Sequence, residues 1–116
     1  MPRFSAYTLI MYTFIRYIWA VAIQSFADRA TEQFFVTGRL VQGAGWVSVR
    51  RIARRKLDML HYAFNLSDLK SPPGNRLESL KGTLKGLHSI RINDRWRIVF
   101  QWTDKGPSQV RVTDYH

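Results

Sequence analysis

The chain ends in Asp114-Tyr115-His116, a carboxylate, a phenol ring and an imidazole in succession. An imidazole has an ordinary pKa of about 6.5, so His116 can give or take a proton near neutral pH. Asp114 can orient that ring or accept a proton itself. Tyr115 can stack on a nucleobase, an interaction worth about 1–3 kcal/mol. Lys81, just before Gly82, offers an ammonium that can neutralise a phosphate gaining charge, and Arg76, Arg91 and Arg97 can share that work. Glu78 places another carboxylate three residues before Lys81. Each residue also has a plain reading. A terminal histidine is often inert, a lysine before glycine is a common loop residue, and Tyr115 can simply pack on a strand. His61 and His88 read as structural, and Trp46, Trp96 and Trp102 as core.

The composition narrows the partners. Eighteen Lys and Arg face eight Asp and Glu, a net charge of +10 in 116 residues. A domain so basic seeks polyanions: nucleic acid, anionic lipid or an acidic protein. The length allows one domain. Apolar residues at 46% and aromatics at 14% suffice for a packed interior, which excludes a wholly disordered chain. With no cysteine, disulfide scaffolds, thiolate zinc sites and cysteine nucleophiles are excluded. Three histidines argue against a closed zinc site, and no cofactor is expected.

Several elements must position these groups. Residues 22–26 alternate weakly and predict a short strand. Asp28 can cap a helix that runs to Thr37 and stops at Gly38. Gly43-Ala44-Gly45 forms a joint. A second helix is expected over residues 47–64, because Val49, Ile52, Ala53, Leu57, Leu60 and Phe64 recur at three- and four-residue spacing. Arg50, Arg51, Arg54 and Arg55 lie off that stripe and form a cationic face suited to phosphate contact. Asn65 or Ser67 opens a short helical turn, and residues 71–75 break regular structure. Strands follow at residues 77–80, 88–92, 95–102 and 110–115, with turns at Asn93-Asp94 and at residues 104–107. This order, β-α-α-β-β-β-β, predicts an α+β fold: an antiparallel sheet with two helices on one face.

The first 22 residues differ from the rest. Between residues 7 and 23 the only charge is Arg16. A membrane span of that length is at the lower limit, and a central arginine costs about 2.5–3.5 kcal/mol. A signal peptide fits poorly for the same reason. The favoured reading is an extension, 1–22, upstream of a domain spanning 23–116, with translation truly starting near Val21 or Ile23. Membrane attachment is not expected.

The motifs Pro72-Pro73-Gly74-Asn75-Arg76-Leu77-Glu78-Ser79-Leu80-Lys81-Gly82, Ser89-Ile90-Arg91-Ile92-Asn93-Asp94-Arg95-Trp96-Arg97-Ile98 and Asp114-Tyr115-His116, in this order, resemble the HigB branch of RelE-type toxins. The similarity reaches back to Ser25-Phe26-Ala27-Asp28 and through Ala53-Arg54-Arg55-Lys56-Leu57.

The resemblance implies a cytoplasmic toxin of a type II toxin–antitoxin system. Such a toxin enters the ribosomal decoding site and cuts mRNA without a metal. The ribose 2′-OH attacks the adjacent phosphate, leaving a cyclic phosphate and a free 5′-OH. The implied partners are the ribosome, mRNA and a HigA-like helix-turn-helix antitoxin, through which alone operator DNA is reached. Lys81, Asp114, Tyr115 and His116 match positions with an active-site role. Glu78 departs from the pattern, because some members carry histidine there; it serves as a general base or is simply a strand residue. The alternative is a basic nucleic-acid-binding module that acts in an operon repressor complex without catalysis.

Overall fold

The computed structural model describes residues 22–114. Residues 1–21, all but the last residue of the expected extension, and the pair Tyr115 and His116 lie outside the described residues, so the expectations for them rest on sequence.

Helix α1 spans Arg29–Thr37. The Asp28 carboxylate accepts the Thr31 amide at 2.7 Å, satisfying one of the helix's orphan donors. Gly38 ends the helix in the left-handed region at φ 76°, its amide bonded to the Phe34 carbonyl at 2.8 Å. The buried Thr31 hydroxyl accepts the Val112 amide at 3.0 Å and so pins α1 to the sheet.

Helix α2 spans Arg50–Tyr62, shorter at both ends than the apolar periodicity predicts. Its expected first residues, Val47–Val49, form a 3₁₀ turn, closed by the Val49 amide on the Trp46 carbonyl at 3.1 Å. No side chain caps this end, and two of the three residues are β-branched valines, which favour helix weakly. At the far end the Asp68 carboxylate accepts the Phe64 and Asn65 amides at 3.0 and 3.2 Å. This capping box opens the Leu66–Lys70 turn and diverts the chain from helix.

Four antiparallel strands follow in the order β1-β2-β3-β4: Glu78–Ser79, His88–Arg91, Arg97–Thr103 and Gly106–Thr113. Ile90, Ile98 and Val112 pair across the sheet and face the helices. They pack with Phe34, Ala53, Leu57 and Leu60 in one core. Trp46 joins it edge-on to Phe34, with ring centroids 5.0 Å apart, and Trp96 and Trp102 pack against its margin. Trp46 is thus a core residue, as the sequence predicts, while Trp96 and Trp102 are only partly buried. Truncating fully buried Leu57 to alanine should cost about 2–5 kcal/mol.

The predicted first strand is reduced to a single parallel bridge, Phe26 to Val110. A bulge explains how it attaches. The β3–β4 register shifts between Val99 and Gln101, and Gln109 takes φ 54°. That turns the Gln109 amide outward to the Ser25 hydroxyl at 2.9 Å, while the Val110 amide bonds the Ser25 carbonyl at 3.1 Å. The Gln24 and Ala27 amides add bonds to the Pro107 and Val110 carbonyls at 2.8 and 2.9 Å, yet the segment forms only the one bridge and no regular strand. The architecture is α+β, with both helices on one face of an antiparallel sheet.

Candidate functional site

The face of the sheet away from the helices is rich in arginine. Arg91 pairs with Arg97, and Arg97 with Thr113, so their side chains share that face with Ser89, Val99 and Arg111. Strand alternation alone predicts an exposed Arg97. Instead it is 7% exposed and held from two sides. Its Nε donates to the Ser89 hydroxyl at 2.9 Å, and a terminal nitrogen donates to the Arg76 carbonyl at 2.8 Å. Glu78 on β1 lies 3.8 Å from the same guanidinium. The two gripping bonds fix the plane of the fork, an arrangement that lysine could not reproduce.

Around Arg97 the charges are mixed. Arg91 donates to Asp94 at 2.6 Å, and this hydrogen bond with the arginine's charge holds the Asp94 carboxyl below the usual carboxylate range. The Arg76 charge adds a smaller part to the same lowering. Asp114 follows the last residue of β4, and the Arg95 Nε donates to it at 2.8 Å. Arg95 in turn lies 5.1 Å over the Trp96 ring, a cation–π contact.

The structure therefore brings together Arg76, Arg91, Arg97 and Glu78, with Asp114 at the end of the same sheet. It sets Lys81 apart. Lys81 follows Leu80, whose amide bonds the Leu87 carbonyl at 2.9 Å, beyond the Ser79–His88 pair. By register, Lys81 leaves the sheet at the end opposite Asp114. Lys81 is exposed and precedes a 3₁₀ turn at Gly82–Leu84.

The helix arginines lie elsewhere. Arg50, Arg51 and Arg55 are exposed on the outer side of α2. Arg54 belongs to the same run, but its donors are engaged. It donates to the carbonyls of Phe34 and Phe35 at 3.4 and 3.1 Å, at the end of α1, and sits 5.5 Å over the Phe35 ring. This is a C-terminal cap supplied by a neighbouring helix. It removes Arg54 from the set of unengaged cations.

Sequence reasoning misses several residues near the site: Arg95, Asp94, Ser89, Lys56 and Asn75. For Lys56 a signal exists. It lies three residues after Ala53 and four before Leu60, on the apolar stripe, where a charge is out of place. Among the described residues no group of three or more His, Cys, Asp or Glu could hold a metal ion, and no helix is long and apolar enough to cross a membrane.

An α+β sandwich of one antiparallel sheet and two helices is the fold of RelE-like toxins. The YoeB-YefM complex from Staphylococcus aureus shares it: the likeness covers 83% of this chain and 97% of that one, with TM-score 0.51 and 21% identity. Within that class the chain belongs to the HigB-like toxins, the RelE-like toxins of the type II toxin–antitoxin system HigB, whose family model matches residues 24–116. Toxin HigB-1 of Vibrio cholerae serotype O1 is 44% identical over 82 residues, which cover 68% of this chain and 82% of that protein. An uncharacterised protein of Haemophilus influenzae is 38% identical over 52 residues, 45% of this chain and 52% of that one.

Proposed function

We propose that this toxin is a ribosome-dependent endoribonuclease that cleaves mRNA. The observation that carries this reading is the fixed Arg97 guanidinium, which grips the Arg76 carbonyl and pairs across the sheet with Arg91, on the strand face that runs to Asp114. A phosphate undergoing attack by a ribose 2′-OH passes through a crowded, more negative state. Donors already oriented toward it need no reorganisation as that charge develops. Arg91 and Arg76 supply cations, and Arg97 supplies a fork whose plane is set in advance. In this reading Glu78, on the β1 side, takes the 2′-OH proton, His116 gives one to the leaving 5′-oxygen, Asp114 orients His116, and Tyr115 stacks on a base. The products are a cyclic phosphate and a 5′-OH. Neither step calls on a metal.

The partners follow from the family and the charge. A toxin of this system is neutralised by a cognate antitoxin, here a HigA-like helix-turn-helix protein, and reaches operator DNA only through it. Arg50, Arg51 and Arg55 contact ribosomal RNA phosphates, which positions the toxin without reading sequence. The work is cytoplasmic, at the decoding site. Alignment by the ribosome supplies much of the catalysis, so purified protein should cut short free RNA poorly.

Expression of the full chain should arrest growth and leave cuts in translated regions of mRNA. The His116→Gln variant should lose about 10²–10⁴ of the cleavage rate. Equal cleavage by both chains removes the acid–base role, and growth arrest without mRNA cuts removes the nuclease reading.

A further inference from the structure

Five polar or charged side chains are buried among the described residues: Thr31, Lys56, Asn75, Ser89 and Arg97. Thr31 ties α1 to β4. The other four form one line of contacts running from the middle of α2, through the loop before β1, to the sheet face away from the helices.

Lys56 is 9% exposed, and its ammonium donates to the Asn75 Oδ1. Burial, with the nearby charges of Arg55 and Arg91, pushes its pKa below the ordinary lysine value. Asn75 is fully buried, and its amide nitrogen donates to the Leu69 and Ser71 carbonyls at 3.1 and 3.2 Å. Both halves of that amide are therefore satisfied. The backbone then turns sharply. Asn75 and Arg76 bond back to the carbonyls of Pro72 and Pro73 at 2.9 and 3.1 Å, and Arg76 adopts φ 44°, a region that residues other than glycine rarely occupy. This turn presents the Arg76 carbonyl to Arg97.

Stability gives no reason for the lysine. A charge buried against a single neutral acceptor costs more to desolvate than one hydrogen bond returns, and an apolar side chain of similar length would serve the core better. The turn, by contrast, needs a rigid anchor from α2, and Asn75 is the only one of its residues that is buried. We infer that Lys56 and Asn75 are positioning residues: they lock the 72–76 turn so that the Arg76 carbonyl holds the Arg97 guanidinium in a single orientation on the sheet face away from the helices. The inference rests on the nuclease reading for its consequence, but the positioning itself can be measured without it.

Two readouts on the full chain test it. The first is hydrogen exchange by nitrogen-resolved NMR at the Arg97 Nη2, the nitrogen that donates to the Arg76 carbonyl. Wild type should exchange slowly, and Asn75→Ala should exchange at least about tenfold faster while the β3 backbone amides stay protected. The second is single-turnover mRNA cleavage on ribosomes. Asn75→Ala should lose about 10²-fold in rate, the effect of a small misplacement, with ribosome affinity within about threefold of wild type. Adding Arg97→Ala to Asn75→Ala should cost nothing beyond Arg97→Ala alone, because both act through one group. Should Asn75→Ala not fold, Lys56→Met, which keeps the helix stem, is read in the same two ways. Slow exchange at Arg97 in a folded variant overturns the proposal, as do losses that multiply in the double variant. If wild type cleaves no mRNA, the nuclease reading falls, and the exchange measurement still decides the positioning.

Discussion

Arg97 on the sheet donates to a buried serine and a backbone carbonyl, whereas Arg50, Arg51 and Arg55 on α2 are exposed and carry no hydrogen bond or ion pair among the described residues. Both surfaces are cationic, yet they are built for different tasks. A guanidinium held in place has had its ordering cost met during folding, so it can act at full strength when charge develops at one point. A mobile guanidinium follows a phosphate backbone of any sequence and releases counterions on doing so. The held arginine of the sheet suits chemistry, and the outer side of α2 suits docking. The sheet side also carries its own neutralising acids, Glu78, Asp94 and Asp114, while in the run of residues 50–55 there is none.

The largest effect should come from breaking the held side. Arg97→Lys keeps the charge and loses the fork, and cleavage on ribosomes should fall about 10²–10³-fold, the scale seen when one fixed donor is removed. Single-turnover rates at saturating ribosome measure this. A lysine variant with near-normal rate would mean that charge alone matters at this position, and the contrast between the two surfaces would disappear.

The docking side should respond to salt. Changing Arg50, Arg51 and Arg55 together to glutamine should weaken ribosome binding. It should also flatten the slope of log affinity against log salt by about two, since each phosphate that is no longer neutralised takes about 0.7 from it. Binding titrations at several salt concentrations provide the slope. An unchanged slope would take these arginines out of the interface. A rate loss at saturation as large as that of Arg97→Lys would show that the helix surface also shapes the chemistry.

A smaller effect is expected where the two sides share support. Asp28→Ala removes the α1 cap, and urea unfolding should show a loss of about 1 kcal/mol. The ends of α1 are readable in the sequence because they are local: a capping carboxylate at Asp28 and a glycine at Gly38 act on their own neighbours. The central strands are readable for a related reason, since alternation in residues 88–92 and 95–102 assigns each side chain a face; β4 instead begins inside the predicted 104–107 turn, because Gly106 and Pro107 pair with Thr103 and Trp102. What the sequence conceals is non-local. The burial of Arg97 depends on Arg76, 21 residues away, and the engagement of Arg54 depends on carbonyls at the end of another helix. The first strand dwindles because its pairing hangs on a bulge at Gln109, which no local pattern announces. The distance between Lys81 and Asp114 along the sheet likewise follows from register, not from composition.

The smallest effect concerns pH. His61 packs against Phe35 and Tyr62, with ring centroids 5.2 and 5.0 Å away, and its Nδ1 accepts the Ile23 amide at 3.3 Å. Burial lowers its pKa below the ordinary histidine value, and the charge of Asp58 opposes part of that. The fold thus favours the neutral ring, whose bare nitrogen is the acceptor that Ile23 needs. In the unfolded chain the ring takes up a proton as pH falls through about 6.5. Between that point and the lower pKa of the fold, the unfolded state binds more protons, so stability drops as pH falls and returns as it rises. Urea midpoints at pH 7.5 and 5.5 should therefore differ more for wild type than for His61→Asn, whose side-chain oxygen can still accept the amide but does not titrate. If the two chains lose stability in parallel, the acid sensitivity arises elsewhere. His61 then acts on the attachment of residues 22–27 through packing alone.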